Sequence, residues 1–259
     1  YFVLGGLPFA IFLLAYNNSL FGSPFSMSYA HESFPEWAEV AGQGVFGIGF
    51  PTLSNVWLLL FSPSRGLFFF SPILLLAVLS VYRSPDRRSL RHKVKYAAIF
   101  VSILLLCGHG AAHGGWAAGA RYLVFIIPLL LDSVFDGELY DSSNIWQGAL
   151  LGLSILFCAL PMLTFPFSPP EFTYPHNDFW FAFIWQEGWY VPTIGAAIGL
   201  GTGILAVLPI IAAYLLVLFV VWRSMRRPKR FAIGFAAAVL VFSVYISIPN
   251  LRENKNLAF

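Results

Sequence analysis

Two arginines stand where a permanent cation is hardest to place, at the mouths of long apolar runs. Arg65 lies in "FSPSRGLFFFSP" and Arg121 in "HGGWAAGARYL". A guanidinium is a planar fork of donors suited to phosphate and carboxylate oxygens. Turn-forming or small residues precede each one: Ser62-Pro63-Ser64 before Arg65, and Gly114-Gly115-Trp116-Ala117-Ala118-Gly119 before Arg121. Glycine lets a backbone approach a ligand closely. A helix beginning just after each arginine would add free N–H groups and a positive dipole end. The expectation is a paired site, Arg65 and Arg121, that holds the phosphate of an anionic lipid headgroup. The competing reading for each arginine is a side chain that snorkels to a membrane interface.

The carboxylates and imidazoles are a second set. Glu32, Glu36 and Glu39 fall at helical spacing, so a short helix would bring them to one face as a base, a metal ligand or a solvated surface. His109 and His113 are four apart, just after Cys107, a spacing that can present two imidazoles to a metal. The glycines at 108, 110, 114 and 115 argue against a regular helix there, and no acidic partner is adjacent. Metal or haem ligation is the cofactor reading these residues leave open, and the cofactor named is a divalent metal ion.

The elements that must carry these groups are membrane spans. The chain has 259 residues, 58% hydrophobic and only 10% charged, where soluble domains run nearer 25% charged. Apolar runs recur at the length of a helix that crosses a bilayer, about 20 residues. The expected class is all-α, a polytopic integral membrane protein with seven spans near 1–16, 66–82, 94–112, 121–135, 145–165, 193–222 and 231–249. Residues 1–259 form a single transmembrane helical domain, read as a piece of a longer chain. Eleven of the fifteen Lys and Arg residues lie in the two connections 83–95 and 223–230, so the positive-inside rule makes those loops cytoplasmic. Arg65 and Arg121 then fall on the outer face, with long aromatic loops at about 17–65 and 166–192. Those loops read as segments lying at the interface. "GLGTGILA" at 199–206 reads as small-residue packing inside the sixth span, and Pro128, Pro161 and Pro209 as kinks. The net charge of +3 is concentrated at membrane-flanking loops and is no nucleic-acid footprint.

Three stretches in order, "YNNSLFGSPFSMSY", "FSPSRGLFFFSPILLLAVLS" and "HGGWAAGARYLVFIIPLLL", resemble the C-terminal half of bacterial membrane proteins of the GT-C glycosyltransferase superfamily. The resemblance covers roughly residues 16–131. It implies an enzyme of the bacterial inner membrane that transfers a sugar from a polyprenyl-phosphate donor on the outer face. It carries over Arg65 and Arg121, with Tyr16, Asn17, Gly66, Trp116, Gly119 and Tyr122 as motif positions. It carries over no catalytic residue, because the family's catalytic carboxylate belongs to a first outer loop that this sequence does not contain. His113 stands where the family pattern has an aromatic residue.

Three function classes remain open on the sequence. The first is a lipid-linked sugar transferase. The second is a non-catalytic subunit of a larger membrane assembly, whose partners are other membrane subunits. The third is a transporter or flippase, for which Asp132 is the one intramembrane carboxylate available.

Overall fold

The structure, a computed structural model, describes residues 2–26, 31, 39–40, 47–83, 88–135, 144–185, 193–201, 203–224 and 227–248. Among them the chain is helical, and the sole β-type pairing is an isolated bridge between Ile48 and His109. Four helices are long and apolar enough to cross a membrane. They are α1 (Phe2–Phe21), α7 (Ile145–Leu163), α9 (Ile204–Ser224) and α10 (Pro228–Ser247). The chain is on this evidence an integral membrane protein.

The other three expected spans take a different form. The run from 66 is broken into α3 (Leu67–Phe70), a 3-10 turn over Pro72–Leu74 and α4 (Leu75–Arg83). Pro72 lacks an N–H and restricts the residue before it, and Ser71 leaves the helical region at φ −132° and ψ 67°. The groups freed by the break are met from α7. Ile73 donates its N–H to the Ser154 hydroxyl at 3.0 Å, and the Cys158 thiol donates to the Phe70 carbonyl at 3.3 Å. Helix α5 (Leu90–Cys107) starts at Ser89, whose hydroxyl accepts from the His92 N–H at 3.2 Å. Its first turns carry Arg91, Lys93 and Lys95, so its apolar part is 96–107, roughly 18 Å at the usual helical rise. The run from 121 divides into a 3-10 segment (Arg121–Ile126) and α6 (Ile127–Phe135). Between Phe21 and Phe61 the described residues also include α2 (Leu53–Leu60), capped by Thr52.

Two buried clusters hold these elements together. One joins Leu59 of α2, Leu67, Leu74 and Ala77 around the broken segment, Ile99 and Cys107 of α5, and Leu123, Ile126 and Leu130. The other joins Phe70 to Phe157 and Leu160 of α7, Phe242 of α10 and the aromatic residues Phe172, Phe179 and Trp180.

Among the described residues the most extensive helix pairing is α7 with α10, and it rests on small residues. A methyl group at Gly148 would run into the Phe231 carbonyl oxygen, and one at Gly234 into that of Ile145. Gly152 faces Ala238 in the same way. Gly148 and Gly152, four apart, thus face Gly234 and Ala238, also four apart, the spacing that lets backbones approach in lipid. The small-residue run expected to pack inside a sixth span is not continuous helix. Gly199 and Gly201 have positive φ between a short helix α8 (Ile194–Ala197) and α9, so the long helix starts at 204 rather than 193.

Asp132 lies at the basic end. It accepts from Lys95 Nζ at 2.8 Å and lies 3.9 Å from an Arg91 nitrogen. That pairing gives it an ordinary structural role beside the basic connection.

Candidate functional site

The site is built from three loops that meet on one side chain. Residues 61–66 form a tight turn in which the Ser62 hydroxyl donates to the Leu58 carbonyl at 2.8 Å. That same hydroxyl accepts the Arg65 N–H at 3.2 Å. Gly66 closes the turn with its N–H on the Ser62 carbonyl at 2.8 Å. A Cβ at Gly66 would sit 2.6 Å from the backbone of Phe61 and Ser62, so no other residue fits without moving the turn.

The turn points the Arg65 side chain inward, where it is 1% exposed. One terminal nitrogen donates to the carbonyl of Ala117 and, at 3.4 Å, to that of Ser64. The other donates to the carbonyls of Gly115 at 3.1 Å and Ser168 at 2.9 Å. Arg65 thereby ties its own turn to the 114–120 loop and to the segment that follows α7. Its Nε is buried without a partner. Burial lowers the guanidinium to about 10, opposed by nearby Glu171 and reinforced by Arg121. It remains a cation at neutral pH, held by carbonyl dipoles rather than by a carboxylate.

Arg121 is exposed. Its guanidinium carbon lies 5.2 Å from the centre of the Tyr122 ring, a cation–π arrangement. Its stem passes Gly114, where an added methyl would approach the Arg121 Cγ to 3.3 Å. Gly114 has a φ of 72° and Gly119 a φ of 70°, conformations that glycine adopts at little cost. Gly119 also lies against the Phe70 ring, with 3.3 Å to a hypothetical Cβ. The glycines of this loop therefore set its path over α3 and under Arg121.

The two arginines come together, in unequal roles. Arg65, Arg121 and Glu171 lie close enough to act on one another and on His113. Burial first, then Arg65, pushes the His113 imidazole below its ordinary value. Neither arginine opens a long helix. A four-residue helix follows Arg65 and a 3-10 segment starts at Arg121, so the expected dipole of a full span is absent from both.

The histidine pair turns back on its own backbone. The Nδ1 of His109 accepts from the Ala111 N–H, and that of His113 from the Gly115 N–H, each at 2.9 Å. Binding a metal through Nε2 would need the tautomer that carries its proton on Nδ1, and both of these contacts would be lost. Among the described residues no group of three or more His, Cys, Asp or Glu side chains could hold a metal ion.

Of the remaining motif positions, Tyr16 and Asn17 both lie within α1, which runs past the expected span end at 16 to Phe21. Tyr16 is exposed, and Asn17 is buried with its amide donating to the Pro24 carbonyl at 3.4 Å. Trp116 is exposed, and Tyr122 lies 5.6 Å from the His109 ring. Glu39 is exposed, while Glu32 and Glu36 lie outside the described residues.

The segment after α7 departs most from the expected interfacial loop. It forms a π-type helix over His176–Trp185, and Phe172, Phe179 and Trp180 are core, while Phe167 stays exposed. Trp180 is 0% exposed and donates its indole N–H to the Phe165 carbonyl at 2.7 Å. His176 is also fully buried, among the rings of Phe69, Phe70, Phe157 and Trp180, with Nε2 3.0 Å from the Phe157 carbonyl. That contact makes Nε2 the protonated nitrogen. Burial lowers the imidazole to about 4, and its Nδ1 lone pair has no partner. Asn177 donates to the Tyr245 carbonyl of α10 at 2.6 Å. The Asp178 carboxyl is raised to about 6 by burial. The sequence signal for this buried set is "YPHND", polar residues inside an aromatic stretch.

The chain matches no family model, no curated protein and no solved structure.

Proposed function

We propose that the chain is the donor-binding part of a GT-C-type glycosyltransferase of the bacterial inner membrane. In this reading the chain crosses the bilayer seven times, with the basic connections 83–95 and 223–230 in the cytoplasm. Arg121 contacts the phosphate of a polyprenyl-phosphate sugar on the outer face, and Arg65 holds the loop that presents it. One observation carries the reading. An exposed guanidinium stands over a glycine loop whose underside is pinned by a second, buried guanidinium. Among the described groups acting on that buried cation Glu171 is the one carboxylate, set against Arg65 itself and Arg121, an excess of positive charge that an anion would neutralise.

The chemistry asked of such a site is modest. An acceptor oxygen forms a bond to the anomeric carbon, the bond from that carbon to the phosphate oxygen breaks, and the acceptor proton passes to a base. The phosphate gains negative charge as it leaves. Arg121 strengthens its hold as that charge develops, which is the differential binding that lowers a barrier. No residue of this chain is assigned as the base.

Binding of undecaprenyl phosphate to the purified protein tests the reading. Arg121→Ala weakens binding by about tenfold or more, the size of one lost charge-assisted hydrogen bond. Arg121→Lys restores part of it. Unchanged binding in Arg121→Ala overturns the assignment.

A further inference from the structure

At the basic end of α9 and α10, far from Arg121 in the chain, the two helices leave an apolar cleft of about 520 Å³. It is lined by Leu218 and Trp222 of α9 and by Ala232, Phe235, Ala236 and Val239 of α10, among others. Its origin lies in the spacing along α10. Ala232, Ala236 and Val239 fall at i, i+4 and i+7 and form one stripe, and the two alanines are too short to reach α9. The opposite face of α10 is taken up by the close contact of Gly234 and Ala238 with α7. The volume lies within the range of about 300–1,000 Å³ usual for ligand-sized clefts.

The helix ends next to this cleft carry cations. Arg223 closes α9, and Arg227, Lys229 and Arg230 open α10; all four are exposed. Among the described residues the ion pairs both go to Asp132 and involve none of these four. The Arg223 guanidinium instead lies 6.0 Å from the Phe219 ring, one turn back along α9.

We infer that this cleft is a binding site for one anionic phospholipid. An acyl chain lies along the alanine stripe, and the phosphate headgroup sits among Arg223, Arg227, Lys229 and Arg230. Any lipid tail can fill an apolar cleft. The collar of four cations selects the headgroup, because Lys and Arg side chains near a bilayer surface attract anionic lipids and basic pockets between helices bind their headgroups. The site is separate from the Arg121 site and does not depend on the reading of that site.

Native mass spectrometry of the full chain in mild detergent tests it, with phosphatidylglycerol and phosphatidylcholine of the same chain length in competition. The expected result is one retained lipid, with phosphatidylglycerol preferred by about tenfold or more. The variant in which Arg223, Arg227, Lys229 and Arg230 are all replaced by Gln retains both lipids alike. Lys229→Gln alone reduces the preference while keeping most of the charge, which guards against misinsertion of the fourfold variant. Ala236→Phe, which fills the cleft, lowers retention of both lipids. Arg88→Gln, in the other basic connection, leaves the preference unchanged. Equal retention of the two lipids by the wild-type chain overturns the inference. So does a preference that survives the fourfold variant or disappears equally in Arg88→Gln. A dimer that retains no lipid and dissociates in Ala236→Phe would put a second copy of the chain in the cleft and overturn it as well.

Discussion

Arg65 and Arg121 follow similar runs of turn-forming and small residues and precede similar apolar runs, yet they end in opposite environments. The turn before Arg65 is closed by backbone contacts so tight that position 66 admits only glycine, and the side chain is driven inward onto the carbonyls of Gly115, Ala117 and Ser168. The loop before Arg121 is packed too, but it leaves room at Gly115. Nothing lies within 4 Å of a Cβ at Gly115, and the arginine that follows the loop stays at the surface over Tyr122. The difference teaches that a cation at the head of an apolar run has two uses. It can satisfy carbonyls that no helix satisfies, or it can remain available to a ligand. Which use applies depends on where other loops bring their carbonyls.

Four experiments sharpen or break this contrast, beginning with the largest effect. Arg65→Met keeps much of the side chain's bulk and removes its donors. It leaves at least three carbonyls without a partner and should cost about 3 kcal/mol at about 1 kcal/mol or more each, read as a loss of thermal stability in detergent. A stability within error of wild type would make the buried arginine incidental. The glycines come next. Gly66→Ala, which meets backbone at 2.6 Å, should cost about 2 kcal/mol. Gly115→Ala has room but must adopt a φ of 66°, at about 1 kcal/mol. The reverse order would contradict the account of the two turns.

The third experiment concerns the segment beyond Ser168, and it turns on pH. His176 is held near 4 in the fold, below its ordinary 6.5, so the unfolded chain takes up the proton first. Its contribution to stability is present above about 6.5 and is lost as pH falls toward 4. Asp178 is held near 6, above its ordinary 3.8. Its contribution is full below 3.8 and is lost as pH rises toward 6. The two slopes oppose each other. Asp178→Asn should therefore expose the histidine alone, with thermal stability falling more steeply than in wild type as pH drops from 6.5 to 4. An unchanged profile would show that Asp178 does not titrate in that window. The smallest effect on stability is expected of Arg121→Ala, within about 0.5 kcal/mol of wild type, as for an exposed side chain. A loss as large as that of Arg65→Met would make Arg121 a second structural pin.

The four long helices were legible in the sequence because a bilayer leaves few other solutions for an apolar run of that length. The breaks were less legible. Pro72 lies inside the stretch 66–82 expected as one span, and the hydroxyl and thiol that meet the backbone groups freed there come from Ser154 and Cys158, more than 80 positions away. The inward turn of Arg65 was not legible, since its carbonyl partners at Gly115 and Ser168 are 50 and 103 residues distant. Composition also misleads over the aromatic segment after α7, because Trp, Phe and Tyr serve equally at a membrane interface and in a core. Among the glycines, the crowded run at 199–203 draws more notice than the spaced pair at 148 and 152. Gly199 and Gly201 of the crowded run take positive φ between two helices, and the spaced pair sets the helix contact.

The three-loop junction on Arg65 also has a direction in time. Ser168, one of its acceptors, is made 103 residues after the arginine. At about 5–20 residues per second this is a delay of roughly 5–20 s. Throughout that interval the turn at 61–66 can form, but the seat for its guanidinium is incomplete. The cation must wait in water or among lipid headgroups. Arg65 therefore records a late step of biogenesis, the moment when the segment beyond α7 folds back and draws a charged side chain out of solvent into the finished protein.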